Sequence, residues 1–202
     1  ETDQAEVSAL IDGCPLATLV CTGPDGMLAN HIPMLRDGDH GLVGHIALAN
    51  DLHRLVGDGA PALAMFGGED SYISPNWYPG KAAHHKVVPT WNYRVVHVHG
   101  TISFLHDAKA KRGIVGRLTT RFERELNGGK AWKMADAPAD FMEAQLAAIV
   151  ACRIDVTRID AKSKLSQNRA AEDFDAVRQE LRARGKSDLA RRMNRIAAED
   201  QK

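Results

Sequence analysis

The chain is organised around the stretch Tyr72–Gly100, YISPNWYPGKAAHHKVVPTWNYRVVHVHG, which contains all three tyrosines and two of the three tryptophans. Its three prolines predict shaped loops up to about Pro89, because proline fixes φ and removes a hydrogen-bond donor. The alternation from Arg94 to Ser103 predicts a strand. Aromatic rings beside amides, hydroxyls and cations suit a flat ligand with polar edges. An aromatic mini-core pinned by prolines is the alternative.

The composition is that of an ordinary globular protein with no global charge. The chain has 202 residues, 44% of them apolar and 26% charged, and its formal net charge is zero. Any binding to nucleic acid or membrane must therefore come from a local patch. Cys14, Cys21 and Cys152 show no metal-binding spacing, which favours reduced, buried thiols.

The sequence contains neither an apolar run long enough to span a membrane nor a secretory signal pattern, so we expect a cytoplasmic protein. The first residue is Glu1 rather than Met, so a native N-terminal segment is expected to precede it.

Closely spaced turns separate the predicted strands of the first half, which favours an antiparallel barrel or sandwich. These strands lie at 15–21, 27–35, 42–46 and 61–66, and a final strand is predicted at 151–159. Helices are predicted at 2–12, 51–56, 108–126, 141–150, 171–184 and 187–198. The segment 162–169 is predicted to be a loop. We divide the chain into a domain at 1–169 and a C-terminal helical appendage at 170–202.

Four separated motifs together resemble the PaiB-type family, described as FMN-binding negative transcriptional regulators. They are GHIALAN at 44–50, SPNWYP at 74–79, VPTWNYRVVHVHG at 88–100 and KLSQNR at 164–169. The resemblance implies an α+β, mainly β fold, namely an antiparallel split β-barrel of the pyridoxamine-phosphate-oxidase type. Peripheral helices and a C-terminal helical pair complete the expected architecture. The resemblance also implies a homodimer with FMN at the dimer interface.

Candidate cofactor residues come from these motifs. Near the flavin phosphate the resemblance places His45 and Asn50, whose alternative role is an ordinary surface turn. Edge hydrogen bonds and a ring wall would come from Ser74, Trp77, Thr90, Trp91 and Asn92. A cation, a hydroxyl and two amides would come from Lys164, Ser166, Gln167 and Asn168, whose alternative is a solvated loop before a helix.

Other chemistries have weaker support in the sequence. His97 and His99 lie two apart on a predicted strand and point to one face, and His84 and His85 could complete a metal site. No third ligand has diagnostic spacing, so we assign no metal. We also assign no catalytic residue, because no GxSxG elbow, P-loop or GxGxxG motif is present.

The two C-terminal helices are basic, with seven cations against two acids between Arg178 and Arg195. A helix-turn-helix would bind DNA through Arg191, Arg192 and Arg195. We favour instead a solvated helical hairpin whose apolar face covers the barrel or a partner subunit, because no third helix is evident beside it.

Two functions follow from these observations. The resemblance implies an FMN-binding negative transcriptional regulator. The wider barrel superfamily implies a small FMN-dependent oxidoreductase that takes electrons from NAD(P)H or another donor. No obvious catalytic acid or base lies beside the aromatic stretch apart from its histidines, which favours binding over turnover.

Overall fold

The computed structural model describes residues 3–199. Its strands are β1 Leu16–Gly23, β2 Gly26–Pro33, β3 Leu35–Arg36, β4 Gly41–Ala47, β5 Ala60–Ile73, β6 Thr90–Leu105 and β7 Ile149–Lys164. Its α-helices are α1 Gln4–Gly13, α2 Leu52–Leu55, α3 Lys81–His84, α4 Ala108–Asn127, α5 Ala139–Ala147, α6 Ala171–Ala183 and α7 Ser187–Glu199. Short 3₁₀ turns occur at Pro75–Trp77, Gly128–Lys130 and Met134–Asp136.

The seven strands form one sheet in the order β2-β1-β5-β6-β7-β4-β3. The pairs β1–β2, β1–β5, β3–β4 and β4–β7 are antiparallel. This confirms the predicted fold class, a mainly β fold of the split-barrel type with added helices. Within residues 3–199 no ladder of backbone hydrogen bonds joins β2 to β3, so the sheet is open.

The chain forms two compact units, each with its own core. The loop–helix unit comprises the described parts of 1–10, 67–96 and 161–202, and the sheet unit comprises 11–66 and 97–160. In the loop–helix unit α6 and α7 bury Val177, Leu181, Leu189 and Met193 against Ile73, Tyr78 and Leu165. In the sheet unit α4 packs Ile114 and Leu118 on Leu35 and Val43. The division of the chain at residue 169 stays a prediction.

The observed strands are longer than predicted at several ends. β5 continues through Gly67 and Gly68 to Ile73, although two glycines predict a stop. A Cβ at Gly68 would lie 3.4 Å from side-chain atoms of Arg94 and Leu10, so the glycine permits close packing within the strand. β7 likewise extends to Lys164, into the predicted loop. These strand ends pair with neighbours distant in sequence, and local propensity does not report such pairing.

Helix predictions are confirmed with small changes at their ends. The apolar positions of α4 recur every three or four residues and face the core, as expected for an amphipathic helix. α5 ends at Ala147, so Ile149 and Val150 belong to β7 rather than to the predicted helix. The strand predicted over 27–35 is divided into β2 and the short β3.

Burial of the thiols of Cys21 and Cys152 is confirmed, and it raises their pKa values to about 11 and about 12, respectively. Desolvation disfavours the charged thiolate, so both side chains stay neutral at physiological pH. Of the helices between residues 3 and 199, none is both long enough and apolar enough to span a membrane.

Candidate functional site

Nine of the eleven predicted cofactor residues lie in the loop–helix unit. The start of β6 and the end of β7 bring four of them together. Lys164 donates a hydrogen bond from Nζ to Thr90 Oγ1 at 2.8 Å. Ser166 donates from Oγ to Asn92 Oδ1 at 3.0 Å. A cation, two hydroxyls and an amide therefore share one small region, as the candidate site requires.

Asn92 holds the most informative atom of this polar cluster, Thr90, Asn92, Lys164 and Ser166. Its side chain is fully buried, and Oδ1 is occupied by Ser166. Its Nδ2 is buried without a hydrogen-bond partner among the described residues. A buried donor without an acceptor costs about 1–3 kcal/mol, so such groups call for a specific explanation. A ligand carbonyl or phosphate oxygen would supply the missing acceptor, and the cluster therefore fits a flavin.

The loop after β7 has a constrained shape. Ser166 adopts a φ of 63°, in the left-handed region that a non-glycine residue rarely occupies. Gln167 closes the loop, because its Nε2 donates to Ser163 O and its Oε1 accepts from Leu165 N, both at 2.7 Å. The amide of Gln167 is thus engaged within the loop. The side chain of Asn168 is exposed and makes no hydrogen bond to the rest of residues 3–199.

The two tryptophans of the aromatic stretch differ in exposure and contacts. Trp91 is 48% exposed, donates from Nε1 to Asp70 at 3.0 Å, and meets Tyr72 edge-on at 6.1 Å between ring centroids. Trp77 packs against the apolar cluster of α6 and α7, with the Arg184 guanidinium 4.9 Å from its ring centroid. Trp91 therefore has an exposed ring surface, whereas Trp77 contributes to the core. The aromatic mini-core is thus present at Trp77, and the role of Trp91 as a wall for the cofactor stays a prediction.

Ser74 has a local role in the loop before α3. Its Oγ accepts a hydrogen bond from Asn76 N at 3.2 Å, which caps the 3₁₀ turn Pro75–Trp77. This contact follows from the preference of serine for turn starts. Its predicted contact with the cofactor stays a prediction.

Tyr78 is a candidate that the sequence prediction missed. Its ring is buried, its hydroxyl lacks a hydrogen-bond partner among residues 3–199, and Arg169 lies 4.6 Å above the ring. The sequence contains a signal for it, because Tyr78 belongs to the SPNWYP motif. A buried hydroxyl without an acceptor is as informative here as the Asn92 amide.

His45 and Asn50 lie in the sheet unit. Burial lowers the pKa of His45, and its Nδ1 is buried without a partner among the described residues. The amide of Asn50 is fully engaged nearby, since Nδ2 donates to Asn30 at 2.7 Å and Oδ1 accepts from Leu52 N at 2.9 Å. Of this pair, His45 is the residue with an available polar atom.

One histidine of the pair on β6, His99, has polar partners nearby. His99 Nε2 lies 3.1 Å from Asp160 Oδ2 and from an Arg158 nitrogen. Within residues 3–199 no group of three or more histidine, cysteine or acidic side chains is placed to hold a metal ion. The alternating burial along β6 does place His97 and His99 on one face, as predicted.

The basic patch predicted on the last helix is corrected by the structure. Arg192 is only 4% exposed, and its Nε lies 3.5 Å from Glu6 Oε2. Arg195 also pairs with Glu6, and Arg191 pairs with Asp188. A buried guanidinium beside a carboxylate cannot reach a phosphate on DNA. Arg192 is therefore removed from the predicted DNA-binding surface.

The Glu6 network is a second feature that the sequence did not reveal. Glu6 is 1% exposed and accepts a hydrogen bond from Arg94 NH2 at 2.7 Å. Glu69 accepts from the backbone N–H groups of Asp188 and Leu189, both at 3.0 Å, at the start of α7. Carboxylates at helix starts are favourable because the first N–H groups lack partners within the helix. These contacts hold α7 within the loop–helix unit.

Comparisons with known proteins agree with this fold. The family model described as "Putative FMN-binding domain" matches residues 1–158. "Protease synthase and sporulation protein PAI 2" of Bacillus subtilis (strain 168) is 30% identical over 183 residues, covering 89% of this chain and 84% of the relative. An uncharacterised protein of Saccharomyces cerevisiae is 38% identical over 107 residues, covering 50% of this chain and 62% of the relative.

Solved structures resemble the whole fold at low identity. The FAD and heme binding protein from Mycobacterium smegmatis superposes with a TM-score of 0.61 and 23% identity, covering 87% of this chain and 78% of that one. The flavocytochrome Anf3 from Azotobacter vinelandii superposes with a TM-score of 0.59 and 18% identity, covering 87% and 74%. At such identities the likeness concerns the fold alone.

Proposed function

The chain belongs to the family of FMN-binding domains, and on that premise we propose that it is an FMN-binding transcriptional regulator of the PaiB type. FMN would be held without covalent attachment, and the protein would act as a homodimer with the cofactor at the subunit interface. The regulatory part of this proposal rests on the resemblance to PaiB. The cofactor part rests in addition on the polar cluster.

The observation that carries the cofactor proposal is the buried Asn92 Nδ2 with no partner among the described residues. Ser166 fixes the orientation of this amide, and Lys164 and Thr90 lie beside it. A flavin offers carbonyl oxygens on its ring edge and anionic oxygens on its phosphate. Either would accept from Asn92 and from the Lys164 ammonium, and bonds to charged groups contribute about 1.5–3 kcal/mol.

The half-exposed ring of Trp91 supports a role as a wall of the flavin pocket. Covering a flat ring removes apolar area from water at about 25 cal/mol per Å². Offset or edge-to-face ring contact adds roughly 0.5–1.5 kcal/mol. When bound, FMN itself supplies the redox chemistry, whereas residues of this chain bind it and orient it.

An FMN titration followed by fluorescence quenching tests the site. Lys164→Ala should weaken FMN binding by about tenfold or more, since it removes a charge-assisted bond. Because Lys164 is exposed, the melting temperature of the apoprotein should not change. Lys130→Ala is the matched control, an exposed lysine of the sheet unit, and should bind FMN as the wild type does.

Two results would count against this site. Equal dissociation constants for wild type and Lys164→Ala would remove the lysine from it. No saturable quenching of the wild type would overturn the cofactor proposal. Gln167→Ala is kept out of the test, because that amide closes the loop and its loss would disturb the loop itself.

A small FMN-dependent oxidoreductase is the second candidate function, and one observation favours it. The arginines of α7 are paired with Glu6 and Asp188, which weakens the route to DNA that the sequence predicts. NAD(P)H oxidation by the FMN-loaded protein, assayed beside an electrophoretic shift on DNA upstream of its gene, separates the two functions. Steady oxidation without a shift would favour the enzyme, and a shift without oxidation would favour the regulator.

A further inference from the structure

One face of α4 forms the wall of a groove of about 730 Å³ in the sheet unit. The residues of α4 that line it are Arg112, Gly113, Gly116, Arg117, Thr120, Arg121, Arg124 and Glu125, and Asp12, Leu35 and Arg36 line its other side. The helix positions recur at intervals of four, so they form a continuous stripe along the helix axis. The adjacent face of α4 carries Ile114 and Leu118 into the core. The stripe is therefore held in place by packing.

The groove is rich in cations, with five arginines against two carboxylates. Three of the arginines are engaged by neighbours. Arg36 pairs with Asp12 at 2.7 Å, Arg121 pairs with Glu125 at 3.1 Å, and Arg117 pairs with Asp37 at 2.6 Å. The contact with Arg117 is the main reason that the pKa of Asp37 is lowered from its ordinary value.

Arg112 and Arg124 differ from these three. Both are exposed, and neither makes a side-chain hydrogen bond or ion pair within residues 3–199. They lie twelve residues apart on one helix, which corresponds to about 18 Å at 1.5 Å per residue. A single phosphate group cannot bridge that distance, whereas an extended polyanion can.

The middle of the stripe is lined by small residues. Gly113, Gly116 and Thr120 carry no long side chain, so a polymer backbone can lie close to the helix between the arginines. The hydroxyl of Thr120 is a donor of the kind that contacts phosphate oxygens in DNA complexes. One strand of B-DNA presents a phosphate about every 3.4 Å along the axis, so 18 Å spans roughly five phosphates.

We infer that the arginine groove of α4 binds the phosphate backbone of duplex DNA, and that this groove, rather than α7, is the protein's nucleic-acid contact. The inference rests on the proposed regulatory function and gives it a location. Contacts of this kind fix the position of the protein on the duplex and are independent of sequence. Base recognition would come from other residues.

The test is a titration of the FMN-loaded protein with a fluorescent duplex of about 30 base pairs, roughly three helical turns, taken from DNA upstream of its gene. The dissociation constant is measured over a series of salt concentrations. Arg112→Ala with Arg124→Ala should weaken binding by about tenfold or more and make the salt slope shallower by about two. FMN affinity and thermal stability should match the wild type, because both arginines are exposed and unpaired among the described residues.

The matched control is Arg182→Ala with Lys186→Ala, which removes the same charge from the C-terminal helical pair. It should keep the wild-type affinity and slope. An equal fall in both double variants would show a general charge effect and overturn the inference.

Gly116→Glu is a second variant that cannot act by unfolding the helix. Space is available, since a Cβ at Gly116 would meet only Met134 Sδ at 3.6 Å, and glutamate is the better helix former. A carboxylate in the middle of the stripe should repel phosphates and weaken DNA binding at least as much as the loss of one arginine. Wild-type affinity in this variant would overturn the inference.

The remaining outcomes separate this inference from the function on which it rests. If the wild type binds the duplex and the double variant keeps the wild-type slope, the groove assignment fails and the regulator proposal stands. If the wild type fails to bind the duplex, the regulator proposal fails and the inference falls with it. If poly-L-glutamate displaces the duplex at a lower charge concentration than unlabelled DNA does, the groove is a site for an acidic protein and the assignment to nucleic acid is overturned.

Discussion

Arginines are concentrated on two helices of this protein, α4 and α7. All three arginines of α7 pair with carboxylates, whereas two of the four on α4 have no such partner within residues 3–199. On α7, Arg192 is buried and Arg195 pairs with the buried Glu6. On α4, Arg112 and Arg124 face a groove and make no ion pair within residues 3–199. The basic composition of the two segments is similar. The two helices differ in the carboxylates beside their arginines. Glu6 and Asp188 pair with the arginines of α7, whereas Arg112 and Arg124 of α4 have no carboxylate partner within residues 3–199.

A cation count along the sequence therefore does not locate an anion-binding surface. Moving a guanidinium out of water is costly unless a carboxylate and hydrogen bonds accompany it, so a buried arginine marks a structural pair. An exposed arginine without a carboxylate keeps its charge available to a ligand. Two further measurements test the contrast between α4 and α7, and a third tests the pH dependence of stability.

The largest effect is expected at Glu6, the carboxylate that joins α1 to Arg94 and α7. Glu6→Gln keeps the shape of the side chain but removes the carboxylate charge that lies 2.7 Å from the 3%-exposed Arg94 side chain. Breaking a buried pair in this way should lower the free energy of unfolding by about 3–5 kcal/mol. Urea denaturation of wild type and variant measures it.

The control for Glu6 is Glu125→Gln on α4, which removes an exposed i,i+4 pair with Arg121. Such a pair contributes about 0.3–0.5 kcal/mol, so the control should stay close to the wild type. Equal losses of unfolding free energy in both variants would mean that the buried ion pair of Glu6 is no more stabilising than the exposed pair of Glu125.

A smaller effect is expected when Arg191, Arg192 and Arg195 are all replaced by Ala. The sequence interpretation predicts a flatter salt slope for DNA binding in this variant. The structure predicts instead a loss of stability, because the substitutions remove the buried Arg192 and the half-exposed Arg195 from Glu6. Urea denaturation and a salt series on the folded variant decide between them. A flatter slope at unchanged stability would return the DNA contact to α7.

The smallest effect concerns the pH dependence of stability in the sheet unit. Burial lowers the pKa of His45 from its ordinary value of 6.5, so the folded state favours the neutral imidazole. The unfolded chain therefore binds the proton more readily. The contribution of His45 to stability is complete above pH 6.5 and is lost as the pH falls through the folded-state pKa.

His45→Gln removes this titration. The urea midpoint of the variant should fall less than that of the wild type between about pH 7.5 and about pH 5.5. Parallel curves for the two proteins would mean that the imidazole is as easily protonated in the folded state as in the unfolded chain.

Several elements of the fold could be predicted because their signals are local. The apolar spacing of α4 is visible within about twenty residues, and the prolines between Ser74 and Pro89 mark the shaped loop. The long ends of β5 and β7 could not be predicted, since Gly67, Gly68 and Lys164 are poor strand residues by composition. Pairing with distant strands overrides that preference.

The candidate site was predicted in part. Thr90, Asn92, Lys164 and Ser166 were each assigned from a motif, and the structure brings them into contact across 74 positions of sequence. The sequence did not distinguish Trp91 from Trp77, or indicate that Gln167 and Asn50 would use their amides locally. Those differences depend on which neighbouring atoms each side chain contacts or hydrogen-bonds in the folded protein.

The family, the helical and loop segments, and the residue types available for a flavin follow from the amino-acid sequence alone. Which charges are paired depends on tertiary packing. Arg195 and Glu6 lie 189 positions apart, and no periodicity or motif links them. Propensities and turn preferences act over a few residues, whereas ion pairing and burial depend on elements brought together by packing. Arginine is therefore buried beside a carboxylate at Arg192 of α7, whereas at Arg112 and Arg124 of α4 it lies exposed beside a groove.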